Sequence, residues 1–138
     1  MAGMQNLIRV HKWKLDEKRR EVTDLENLLE NFNAQLTKLN QEQVKEQELA
    51  SNDPEAALLY ANYAKAATLR RENLMNSIQD MEAKIEVARS EMAEAFQELK
   101  KYEISEENRI RLLKEQQMKK QQAEMDAFSI EAYRRKSR

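Results

Sequence analysis

Counting from Ile8 at alternating spacings of three and four residues reaches Ile8, His11, Leu15, Lys18, Val22, Leu25, Leu29, Phe32, Leu36, Leu39, Gln43 and Glu46. Eight of these twelve are apolar, and the five positions Ile8, Leu15, Val22, Leu29 and Leu36 are apolar without exception. Side chains three and four apart stack on one helix face, so this spacing predicts the seam of a coiled coil. The seam fades toward Glu46, just before Ala50-Ser51-Asn52-Asp53-Pro54-Glu55. Asp53 can accept a hydrogen bond from a free N–H of a following helix, and Pro54 at the first helical position has no N–H to leave unsatisfied. Glu55 then lies near the positive end of the helix dipole. The pattern predicts helix one over about 4–49, a turn over about 50–53, and helix two from Pro54 to about 126 or beyond, ending in a frayed tail.

The second helix has a seam of its own: Ala57, Tyr60, Ala64, Ala67, Arg71, Leu74, Ile78, Met81, Ile85, Ala88, Met92, Ala95, Leu99 and Tyr102. Thirteen of the fourteen are apolar. The next positions, Glu106, Arg109, Leu113 and Gln116, include one apolar residue, so the seam is expected to end near Tyr102. In an antiparallel pair, the two classes of seam position face each other across the helices. A pivot at Ser51/Asn52 sets Leu15 against Ala88, Val22 against Met81, Leu29 against Leu74 and Leu39 against Ala64. Large residues then often meet small ones, which lets helices approach closely. In this register about thirty-five C-terminal residues overhang a paired rod of roughly 70 Å. An unpaired helix of that length is marginal in water and gains order from a partner. The expected fold is all-α: a long antiparallel two-helix coiled-coil hairpin with an overhanging C-terminal helix, forming one domain over residues 1–138.

Composition removes the other classes. Charged residues make up 36% of the 138 residues and aromatics 6%, with one glycine and one proline, too few for the corners of a multi-layer fold or a strand meander. An apolar content of 41% is too high for a disordered polyelectrolyte. No apolar run approaches the ~20 residues of a membrane span. The N-terminal stretch carries no signal-like apolar core, so a cytoplasmic protein is expected. Without cysteine, with His11 as the one histidine and Gly3 as the one glycine, the chain has no thiolate site, multi-histidine site or phosphate-cradling loop. The reading is of a protein without catalytic residues, cofactor or metal.

Charge adds a polarity that the net value of −1 conceals. Residues 1–20 carry six basic and two acidic side chains, and residues 109–138 carry nine basic and four acidic. The intervening 21–108 is acidic, so a hairpin would gather both basic segments at its open end. These segments read as a protein-docking end rather than a nucleic-acid surface, because acids are interleaved and the nearby aromatics are Trp13, Phe128 and Tyr133. Lys18 and Arg71, seam positions expected opposite Ile85 and Phe32, read as snorkelling side chains. His11, opposite Met92, reads as a seam residue. Tyr60 is in the seam opposite Gln43, and Tyr63 beside it is expected on a flank, packed against the neighbouring helix, or exposed, where a tyrosine suits a protein interface.

Two local matches connect these features to a known family. Met125-Asp126-Ala127-Phe128 followed by Arg135-Lys136 is similar to a Met-Asp-acid-Phe and Arg-Lys pattern at the same spacing, with Ala127 where an acid is usual. Asn62-Tyr63 matches an Asn-Tyr near the start of a second long helix. Through these, and along its whole length, the chain resembles the flagellar type III export stalk protein family (FliJ). The resemblance implies a non-enzymatic stalk, similar to the central stalk of rotary ATPases. Such a stalk docks with the export ATPase hexamer, contacts the cytoplasmic domain of the export-gate membrane protein and binds export chaperones. It implies a cytoplasmic location, peripheral to the inner membrane at the flagellar base, with no membrane insertion and no nucleic acid. Gln35 and Leu39 match gate-contacting positions, while Glu42 and Glu46 stand where the family has tyrosines. The candidate gate set is Gln35, Leu39, Tyr60 and Tyr63. The candidate ATPase set is Trp13, Arg19, Arg20, Arg109, Arg111, Met125, Asp126, Phe128, Arg134, Arg135 and Lys136. Alternatives are the equivalent stalk of a virulence injectisome and a self-associating structural coiled coil, the latter suggested by off-seam Leu7, Trp13 and Leu28.

Overall fold

The computed structural model describes residues Ala2–Ser137, except for the side chain of Ala2; Arg138, counted above among the basic residues, lies outside them. Two helices, α1 (Ala2–Asn52) and α2 (Pro54–Ser137), account for every described residue but Asp53. The break is one residue wide, narrower than the expected turn. The proline ring disfavours helical geometry at the residue before it, and here that residue is Asp53 alone. Asp53 Oδ1 accepts from the backbone N–H of Glu55 at 3.0 Å, and its carbonyl accepts from that of Ala57 at 3.0 Å. These bonds start α2 as the sequence suggested. On the other side Ser51 Oγ donates to the Glu48 carbonyl at 2.7 Å, satisfying an acceptor that the end of α1 leaves free.

Beyond Pro54 nothing breaks the chain. The hydroxyl of Thr68 turns back onto the carbonyl of Ala64 four residues earlier, as Thr23 and Thr37 do in α1 on Arg19 and Asn33, so the helices absorb their β-branched polar residues. Arg134, Arg135 and Lys136 lie in the last turn of α2, where positive charge suits the dipole. The helix therefore passes residue 126 and continues to Ser137.

The fold is all-α, with two long helices packed on each other, and it divides into two compact units. One comprises Trp13–Ala95; the other comprises the described residues up to Lys12 together with those from Phe96 onward. In the first, burial recurs at seven-residue intervals along α2, at Ala67, Leu74, Met81 and Ala88, with Ile85 between them. Leu15, Val22 and Leu39 are the buried residues of α1 in this unit. Leu39 forms one cluster with Ala67 and Leu74, flanked by Phe32, Leu36 and Tyr63. In the second unit Leu99 and Glu106 are buried. No described side chain among these is sealed below 2% exposure, as expected where one stripe meets one stripe.

Every expected seam position except Glu46 and Ala57, both exposed beside the break, is at least half-buried. The facing partners differ. Lys18 donates to Glu91 at 2.6 Å, Arg89 to Glu26 at 2.9 Å, and Arg71 to Asn40 at 3.1 Å and to Gln43. Leu39 sits with Ala67 and Leu74 instead of Ala64. These polar partners lie six to twelve residues further along than the pivot at Ser51/Asn52 places them. A slide from one seam position to another keeps the two stripes in contact, so apolar patterning does not distinguish the registers. Polar contacts do: the pivot would have set Lys18 over Ile85 and Arg71 over Phe32, whereas here both cationic heads meet polar partners. The snorkelling reading of Lys18 and Arg71 is thereby corrected. In the second unit His11 stacks on Tyr102, ring centroids 4.6 Å apart, in place of a contact with Met92.

The seam also runs past its expected end, because Glu106 is 7% exposed and Arg109 half-buried. Leu39→Ala, at 5% exposure and shared between Ala67 and Leu74, should lower unfolding stability by about 2–4 kcal/mol in urea titrations. Leu29→Ala, at a half-buried position, should cost less.

Candidate functional site

The candidate gate residues lie in the unit Trp13–Ala95, where α1 loses its apolar seam toward Gln43 and Glu46. Gln35 is half-buried and lines a cleft of about 140 Å³ with Lys38, Leu39, Glu42 and Arg70. Its amide donates to Asn31 Oδ1 at 3.4 Å, leaving the side chain beside the cleft mouth. Leu39 is core. Of the two readings of Tyr63, the structure shows the packed flank: its ring packs on the Leu39 cluster and lies 6.2 Å from that of Tyr60. Its hydroxyl is sealed from solvent and has no hydrogen-bond partner. Burial, then the nearby Glu42 and Glu46 carboxylates, push the Tyr63 phenol above its ordinary value, all three disfavouring the phenolate. Of the four gate candidates, Gln35 and the half-buried Tyr60 offer surface to a partner, while Leu39 and Tyr63 hold the two helices together.

Trp13, Arg19 and Arg20 lie on α1 in the same unit. Trp13 is 60% exposed and lines a groove of about 590 Å³ with Lys14, Glu17, Lys18, Arg20 and neighbours on the same helix. Arg19 and Arg20 are exposed and face Asp16 at 3.6 Å and Glu17 at 3.1 Å, surface pairs that hold the side chains only loosely.

The remaining candidates belong to the other unit and divide into two kinds. Arg109 is structural. Its Nε and Nη2 donate to Glu106 Oε2 and Oε1 at 3.0 and 2.6 Å, a fork that grips both carboxylate oxygens. This pair occupies the two positions after Tyr102 in the seam, which a count of apolar residues alone missed. The signal that could have found it is an acid and an arginine at successive seam positions, three apart. The Arg109 guanidinium, by hydrogen bond and by charge, holds the Glu106 carboxyl below its ordinary 4.5 against the opposing effect of burial.

From Ile110 to Ser137 every residue is exposed. Arg111 donates to Asn108 at 2.7 Å, Asp126 accepts from Gln122 at 3.1 Å, and Arg135 approaches Glu131 at 3.7 Å, all within α2. Met125 and Phe128 stand in solvent, Phe128 at 76% exposure, with Arg134 and Lys136 nearby in sequence and equally exposed. This segment presents apolar side chains and cations together, with no covering element among the described residues. Among the described residues no helix is long and apolar enough to cross a membrane.

Because the folded Glu106 carboxyl titrates below its unfolded value, the stability it adds is present above about pH 4.5 and is lost as pH falls through the lower folded value. Melting curves of the wild type and Glu106→Gln should therefore differ at neutral pH and converge in acid. Tyr63→Phe removes the orphaned hydroxyl while keeping the ring, so its melting temperature should equal or exceed that of the wild type. No family profile, curated protein or solved structure matches this chain.

Proposed function

We propose that the two helices form an antiparallel coiled-coil hairpin whose C-terminal helix overhangs, and that it serves as a stalk adaptor of flagellar type III export. In this reading it couples the export ATPase ring to the export gate and binds export chaperones, with no chemistry of its own. The order of the cross-helix contacts supports the antiparallel course within the unit Trp13–Ala95: Arg71 with Asn40 and Gln43, Arg89 with Glu26, and Lys18 with Glu91. The observation that carries the functional reading is the exposed segment after Arg109. There the Met125-Asp126-Ala127-Phe128 and Arg135-Lys136 residues that carry the family resemblance lie uncovered on one helix. A basic, apolar helix suits an acidic docking site, and opposite charge accelerates the encounter.

The mutants that test this follow from burial. Arg134→Glu with Arg135→Glu changes exposed residues alone and should slow association with the export ATPase by about tenfold at low salt, the difference shrinking as salt rises. Gln35→Ala changes the accessible gate candidate without touching the Leu39 cluster, and should weaken gate-domain binding while ATPase association is kept. Surface-binding kinetics with each purified partner measure both. Equal loss of both partners in either variant, with helicity unchanged, would sink the coupling model.

A further inference from the structure

The exposed end of α2 carries a second heptad pattern, rotated away from the seam that packs on α1. Met118, Gln121, Met125, Phe128, Ala132 and Arg135 follow one another at spacings of three, four, three, four and three. All six are exposed, Met118, Met125 and Phe128 strongly so. On this stripe Gln121, Glu124, Met125, Phe128 and Ser129 line an open hollow of about 370 Å³. The first four stand at i, i+3, i+4 and i+7, the diamond that receives one side chain of a facing helix in a coiled coil.

The charges beside the stripe choose the occupant. One flank carries Gln117, Glu124 and Glu131, and the other carries Gln122, Ser129 and Lys136. In a parallel pair each residue of the first flank meets the partner's residue five positions later on the second. That matches Gln117 with the partner's Gln122, Glu124 with the partner's Ser129 and Glu131 with the partner's Lys136, without a like-charge contact on the flanks; the one such contact of this arrangement is Arg135 with its own copy, at the open end of the stripe. An antiparallel pair over the same span would press Glu124 against the partner's Glu131 twice. We propose that residues 117–136 are the interface of a parallel homodimer. Met118, Met125, Phe128 and Ala132 are its apolar layers, and Gln121 against the partner's Gln121 fixes its alignment. The remaining cations of the span, Lys119, Lys120 and Arg134, lie off the stripe, and Arg135 against its own copy ends it.

This inference does not depend on the stalk reading, although Met125 and Phe128 would then belong to both surfaces, so that dimerisation and ATPase docking compete. Fewer than three heptads make a weak dimer, with a dissociation constant on the order of 10–100 µM. Sedimentation equilibrium of the full chain up to ~0.5 mM should show reversible monomer–dimer exchange. Phe128→Glu should weaken the dimer by about tenfold or more. Glu131→Lys should weaken it by about threefold to tenfold, and Glu131→Lys combined with Lys136→Glu should restore it. Ile130→Ser, on the opposite side of the helix, should leave it unchanged. Circular dichroism of each variant separates a lost interface from a lost helix. A chain that stays monomeric at the highest concentration, a dimer indifferent to Phe128→Glu, or a charge swap that fails to restore association would each overturn the proposal. So would spin labels at Glu115, just before one end of the span, that lie about 30 Å apart as in an antiparallel pair.

Discussion

The rest of the structure depends on how little a helix can bury against one neighbour. A single stripe of about two positions per seven is all that two packed helices can remove from water. Apolar residues on that stripe drive the helices together, but they repeat, and a repeat is satisfied equally well by sliding one unit along. Uniqueness has to come from groups that do not repeat. In this chain those are the polar residues at the edges and interruptions of the stripe: Lys18 with Glu91, Arg89 with Glu26, and Arg71 with Asn40 and Gln43. Each contributes little energy where water reaches it. Their larger effect is to penalise the neighbouring alignment, in which two cationic heads would lie over Ile85 and Phe32.

The same logic explains where packing stops. Beyond Tyr102 the stripe continues through a carboxylate and a guanidinium that neutralise each other, so the helix face stays buried without apolar side chains. After Arg109 no such arrangement follows, and α2 becomes exposed on all sides. The candidate docking residues are found there because a helix free on all faces can present cations and aromatics together. Nearer the break the reverse holds: Leu39 and Tyr63 are committed to internal packing, leaving Gln35 at a cleft edge and the half-buried Tyr60 as the accessible side chains.

Much of this was legible from spacing. The helix pair, the cap at Asp53, the start at Pro54 and the seam positions from Ile8 to Tyr102 follow from periodicity and turn chemistry, which are local. The facing partners did not follow, because a pivot centred on the break is a symmetry assumption that a one-residue corner need not obey. Glu106 and Arg109 were missed for a different reason: a hydropathy count assigns each residue a fixed character, whereas a paired acid and base lose theirs together. Spacing leaves Tyr63 open between a packed flank and solvent because its position is off the main stripe. A large ring reaches the Leu39 cluster from the adjoining position and leaves its hydroxyl stranded there.

One further consequence comes from the amount of surface. The folded chain exposes 11337 Å², against about 7,500 Å² for a globular protein of the same mass. Unfolding therefore newly hydrates about 12,000 Å², against roughly 16,000 Å² for a globular chain of this mass, and the heat-capacity change per residue is smaller in step. A small heat-capacity change flattens the dependence of stability on temperature. The stability of this chain should therefore change more gradually on warming and on cooling than that of a compact protein of the same mass.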